Sequence, residues 1–244
     1  MSIQQSMIAG YSSVPFVITN SGDFESANTE YLSRTQSGSQ RKGTWSWWEY
    51  PESTGSNMYM IRGSTQEDWL YYGANTWAQL SLSAAGGSGA LAYSGTDSVV
   101  AAGAWRHVCI HMDTDNATGV DRLKFYSDGV LQTRTGGGDV VVNYDSGFNS
   151  GGTNTIGYSS SSYDGLLSQF YWISDQLIAP TEFAYDASGT WTAKPFAGTY
   201  GSNDSYLTFD DSGALGADSS GNGNTWTNNN TVTQSATVPP FGNG

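Results

Sequence analysis

The chain has 244 residues, only 13% of them charged, yet nine Lys and Arg stand against 22 Asp and Glu for a formal net charge of -13. Such a surface repels phosphate, so nucleic acid and anionic membranes are excluded as expected partners, leaving neutral sugars or other proteins. The length suffices for one large core, the single Cys109 cannot form an intramolecular disulfide, and neither a membrane span of ~18 apolar residues nor a basic, apolar export leader is expected.

In chain order, short strands are predicted at 14–19, at 23–24, at 31–33 and at 43–50, where Trp45 and Trp47 alternate with Ser46 and Trp48. Pro51 and Gly55 end that run, and 58–62, 69–72, 77–82 and 90–93 follow between Gly-, Ser- and Asn-rich turns. Next, Trp105, His107, Cys109 and His111 alternate with Arg106, Val108, Ile110 and Met112, which puts Val, Ile and Met on one strand face. After a polar loop, Leu123, Phe125 and Tyr126 lead into Asp128-Gly129, a two-residue hairpin signal. The clusters Gly86-Gly87, Gly136-Gly137-Gly138 and Gly151-Gly152 lie between strands rather than before a helix, so they do not form a phosphate cradle. One helical turn is predicted at Ala179-Pro180-Thr181-Glu182, with Phe183 and Tyr185 leaning on a sheet edge. From Gly213 onward Gly, Asn, Thr and Ser dominate, and Trp226 and Pro239-Pro240-Phe241 are the few anchors. We therefore divide the chain into a β-sandwich, 1–212, and an irregular arm, 213–244, expected to be disordered or held by a neighbouring surface. The class is all-β, a jelly-roll sandwich.

The pairing of Trp105-Arg106-His107-Val108 with Tyr126-Ser127-Asp128-Gly129 resembles the central hairpin of concanavalin A-like domains of the laminin-G and pentraxin type. Ile156-Gly157-Tyr158 with Tyr163-Asp164-Gly165-Leu166, and Asp218-Ser219-Ser220-Gly221-Asn222-Gly223-Asn224-Thr225-Trp226-Thr227, are similar to later segments of such a module in bacteriophage virion proteins. The resemblance implies a concanavalin A-like sandwich on a particle surface, made in the host cytoplasm, with other virion proteins as partners. A homo-oligomer is expected, a trimer somewhat favoured.

Candidate chemistry is sparse. Glycoside hydrolysis needs two facing carboxylates, but Glu49 and Glu52 straddle Pro51, and the adjacent Glu67 and Asp68 point to opposite faces. His107 and His111 lie about 13 Å apart along a strand and cannot share a metal. No strained nucleophile turn accompanies the many serines. Calcium is the one cofactor considered, at Asp113, Asp115 and Asn116 or at Asp210, Asp211, Asp218 and Asn222, although neither set has EF-hand spacing. Nine Trp, fifteen Tyr and nine Phe provide stacking surface, and Trp69, Tyr71, Tyr72, Trp77 and Trp226 are the candidates for glycan or partner contact. The expected function is a non-enzymatic virion surface protein, as head decoration, short spike or fibre component, working through protein contacts. The alternative is an adhesin that recognises host glycans, and a hydrolase on the same fold ranks third.

Overall fold

The computed structural model describes residues 15–53, 57–64, 68–73, 77–82, 90–93, 101–158 and 161–244. Its strands are β1 Ser21–Phe24, β2 Tyr31–Ser37, β3 Lys42–Pro51, β4 Met58–Arg62, β5 Trp69–Gly73, β6 Trp77–Ser81, β7 Ala90–Tyr93, β8 Arg106–Asp113, β9 Leu123–Ser127, β10 Val130–Leu131, β11 Arg134–Gly137, β12 Ser150–Ile156, β13 Gly165–Ser174, β14 Ala184–Ala187, β15 Thr190–Ala193, β16 Ser205–Leu207, β17 Thr227–Asn229 and β18 Thr233–Ser235. They form two antiparallel sheets. The first runs β10-β9-β8-β3-β13-β1-β18 with β16 also on β13, and the second runs β11-β7-β6-β5-β4-β12-β2-β17. This is the jelly-roll sandwich expected of a concanavalin A-like domain.

Alternation explains the packing. Trp45 and Trp47 of β3 turn inward, Trp45 meeting Trp172 at 5.5 Å and Trp47 stacking on Phe170 at 5.2 Å between ring centroids. Their strand neighbours Val108, Ile110 and Met112 share that face, and Leu32, Met58, Met60, Leu70, Tyr72 and Ile156 close the core from the second sheet. Asp128 and Gly129, both at positive φ, make the predicted hairpin turn between β9 and β10.

The opposite face of the first sheet is covered by a third layer. The β14–β15 hairpin, the 3-10 turn Pro180–Glu182 and both ends of the described chain lie over it. Phe16 N–H donates to Asn243 Oδ1 at 2.8 Å, and Ala193 bridges to Phe241. Beneath them sit Trp48, Cys109, Tyr171 and Ile173, which is why all ten residues of β13 are buried. The helix predicted at 179–182 is that 3-10 turn, opened by Pro180. The predicted strand at 14–19 is not formed over 15–19, because Phe16 and Ile18 pack into this layer instead of pairing in a sheet.

The segment 213–244 is largely irregular, as its composition predicts, but it is not a separate arm. β17 pairs with β2 in one sheet and β18 with β1 in the other. Trp226 is 2% exposed, lies 5.2 Å from Trp172 and donates its indole N–H to Ser205 Oγ at 2.9 Å. Ladder hydrogen bonds use the main chain, so polar residues such as Thr227 and Asn229 join a sheet without apolar side chains. No helix among the described residues is long and apolar enough to cross a membrane.

Candidate functional site

With one sheet covered on both sides, the outer side of the second sheet is the face that no further layer covers among the described residues. On β4 and β5 the core residues Met58, Ile61, Leu70 and Tyr72 alternate with Tyr59, Arg62, Trp69 and Tyr71, which point outward. The β4–β5 register sets Tyr59 opposite Tyr71 and Arg62 opposite Trp69. The three aromatic rings touch, with centroids 4.9 Å apart for Tyr59–Tyr71 and 5.6 Å for both Tyr59–Trp69 and Trp69–Tyr71. Gln79 and Ser81 of β6 adjoin them on one side, and Thr155 of β12 on the other. A second aromatic pair, Tyr31 stacked on Tyr158 at 4.8 Å, belongs to the same sheet's β2 end.

Beside Tyr158 a cleft of about 360 Å³ is lined by Ser26, Thr29, Ser53, Ser161, Ser162 and Asp164 among others. Burial raises the Asp164 pKa, but hydrogen bonds from Ser26 and Ser53 outweigh it and hold the carboxyl below its ordinary range. The cleft therefore offers hydroxyls and an ionised carboxylate.

Two of the predicted contact residues are not on the surface. Tyr72, adjacent to the half-exposed Tyr71, points into the core and donates its hydroxyl to Glu49 Oε2 at 2.9 Å. Trp226 is core, as described above. Trp69 and Tyr71 are half-exposed and adjoin one another, whereas the side chain of Trp77 lies outside the described residues. Tyr59 and Arg62 were missed, because nothing local marks one Tyr and one Arg among Met and Ile as surface residues. The alternation of Met58, Tyr59, Met60 was the available signal.

The calcium candidates mostly meet other groups, although Asp113 Oδ1 is buried without a partner. Arg41 bonds Asp145 and Asp115, Lys42 lies 3.9 Å from Asp113, and Asn116 Oδ1 accepts the Thr118 N–H. Asp218 accepts the N–H groups of Tyr206, Ser220 and Asn224, Asp210 accepts the Thr19 hydroxyl, Asp211 the Gly213 N–H, and Asn222 donates to the Gly201 and Asp204 carbonyls. The motif 218–227 is thus a loop organised around one carboxylate. Among the described residues no group of three His, Cys, Asp or Glu side chains could hold a metal ion.

Two arrangements that could suggest catalysis are sealed. Ser46 Oγ lies 2.8 Å from His107 Nε2, but Trp191 donates its indole N–H to Nδ1 at 3.1 Å. The ring proton therefore sits on Nε2, and the imidazole faces serine as a donor rather than a base. Burial pushes the His107 pKa down to about 3. Glu49 is fully buried, paired with Arg106 and accepting the Trp47 indole N–H at 2.8 Å, so it cannot reach a substrate. Asp68 is likewise buried, accepting the Gly147 N–H and, at 3.1 Å, the Tyr144 hydroxyl. Glu67 lies outside the described residues.

The chain belongs to the concanavalin A-like lectin/glucanases superfamily, in its laminin-G-like branch, whose family model matches residues 24–183. Comparison with curated protein sequences gives no significant match. Among solved structures, a Bacteroides ovatus protein provisionally assigned to carbohydrate binding superposes with a TM-score of 0.57 at 16% identity, covering 92% of this chain and 62% of that one. Domains LG4-5 of the mouse laminin alpha1 chain give 0.48 at 13% identity, covering 64% and 41%. Tailspike protein 2 of Escherichia coli O157:H7 bacteriophage CAB120 gives 0.48 at 15% identity, covering 70% and 26%. The chain therefore spans less than two thirds of each of these proteins.

Proposed function

We propose that this chain is a non-enzymatic carbohydrate-binding module whose ligand lies on Tyr59, Trp69 and Tyr71. The observation that carries this reading is the asymmetry of the sandwich. One sheet is roofed over, and among the described residues the other presents touching aromatic rings beside the half-buried Gln79. Aromatic faces pack against the C–H side of a sugar ring while a neighbouring side-chain amide such as that of Gln79 bonds its OH groups. Membership of a lectin and glucanase superfamily supports the same conclusion, as does the fold shared with the Bacteroides protein. For these reasons glycan recognition takes precedence over the purely structural role. Titration of a glycan panel tests it. Wild type should bind at least one sugar, and Trp69→Ala should weaken binding about tenfold with unchanged circular dichroism. A wild-type protein that binds none overturns the reading.

The resemblance of 218–227 to virion modules supports a setting on a phage particle, as a homo-oligomer with a trimer favoured. Mass spectrometry of purified particles tests the setting, and ultracentrifugation the oligomer. Absence from the particles would remove the setting and leave the glycan reading in place.

A further inference from the structure

The second sheet stands apart in charge. Its eight strands contain no Asp or Glu, although the chain has 22. In the middle of its open face is Arg62, paired in register with Trp69 on one side and Thr155 on the other. Six of the other eight cations are already occupied. Arg41, Lys42, Arg106, Lys124 and Arg134 each meet a carboxylate, and Arg122 donates to three backbone carbonyls. Arg34, in β2 of the same sheet, also has a buried unpartnered nitrogen but is set in register with Asn154, away from the aromatic cluster, and Lys194 lies outside this sheet. Arg62 is half-buried with no ion pair or hydrogen bond among the described residues, and its buried Nε is unpartnered. A guanidinium set in register beside Trp69, partly stripped of water and without a counter-charge among the described residues, gains from an incoming anion what it does not gain from them.

Resting on the glycan reading above, we propose that this face selects a sugar carrying an isolated carboxylate, with the ring on Trp69 and the carboxylate on Arg62. Directly opposed residues on one sheet face have Cβ atoms about 5 Å apart, close to the span between a pyranose ring and its own carboxyl substituent. The selectivity is for one acidic sugar rather than a polyanion. A formal net charge of -13 opposes an extended polyanion, and Arg62 is the cation at the aromatic cluster. At physiological salt the protein's wider field is screened beyond about 8 Å, so the local cation decides recognition of a single group. This revises the sequence-based expectation of neutral glycans.

The test uses matched sugars, an oligosaccharide ending in one glucuronate or sialate and its carboxyl-reduced twin, with hexagalacturonate as the polyanion. Each is titrated against wild type, Arg62→Gln, Arg62→Lys and Trp69→Ala. Wild type should favour an acidic sugar over its twin by about tenfold, and more at low salt. Arg62→Gln should erase that ratio, with unchanged circular dichroism showing that the variant is folded. Arg62→Lys should retain part of the ratio. An acid-to-twin ratio near one in wild type, a ratio that persists in Arg62→Gln, or hexagalacturonate as the tightest ligand overturns the inference. If Trp69→Ala still weakens every sugar in those cases, the glycan platform stands. If wild type binds no sugar, or Trp69→Ala changes nothing, the platform falls and the inference with it.

Discussion

At the scale of single residues, the largest electrostatic commitment is Glu49 with Arg106, the glutamate fully buried and the arginine side chain 11% exposed. Burial opposes the charge of Arg106, and the carboxylate beside it more than compensates, raising its pKa above the ordinary value. Glu49→Gln removes the carboxylate paired with that guanidinium, leaving only the more distant Asp128, and we expect a loss of about 3–5 kcal/mol in urea unfolding. Pairing it with Arg106→Met should recover only part, because the Trp47 and Tyr72 donors still lose their charged acceptor. A second expectation concerns Asp23, whose pKa is raised to about 6 by burial and by the nearby Glu52, Glu25, Glu30 and Asp164. The folded state therefore binds this proton more tightly than the unfolded one. Its contribution is complete below pH 3.8 and is lost as pH rises to about 6. Asp23 is half-buried, so solvent screening reduces the loss to about 1 kcal/mol. Urea midpoints measured from pH 4 to 7 should show this slope in wild type and a flatter one in Asp23→Asn.

At the scale of elements, the final strands close both sheets. Trp226→Ala should cost about 3–5 kcal/mol, measured by chemical denaturation, since it empties a core site against Trp172. Truncation before Thr227 removes β17 and β18 together and should abolish cooperative unfolding in calorimetry. A truncated chain that still melts cooperatively would restore the separate arm. Much of the element pattern was legible, because β3, β8 and the Asp128-Gly129 turn are local signals written in alternation and positive φ. The arm was not, because Trp226 is buried by Trp172 and Ser205, residues far from it in the chain, while its own neighbourhood is polar. Tyr71 and Tyr72 were assigned together for a similar reason. Adjacent residues must face opposite ways, and only pairing with Glu49 shows which one turns inward.

At the scale of the whole molecule, the candidate site follows from what covers each sheet. Strand patterns predict two sheets but not the third layer, which the β14–β15 hairpin and both ends of the described chain build from residues almost the length of the chain apart. Nor could one arginine in a short strand look important before the topology showed that its whole sheet lacks acid. The same roof gives the protein a chemical clock. Cys109 is its lone thiol, fully buried between the core sheet and the Phe183 and Ile178 side of the third layer, and burial raises its pKa well above the ordinary range. Only thiolate reacts with a disulfide reagent, so labelling in the native state must wait for the roof to lift. We expect the native rate to be at least 10³-fold slower than in denaturant, in line with the opening equilibria of stable domains. If Trp191→Ala speeds labelling without shifting the urea midpoint, the roof opens ahead of the sandwich; if rate and midpoint move together, the three layers open as one.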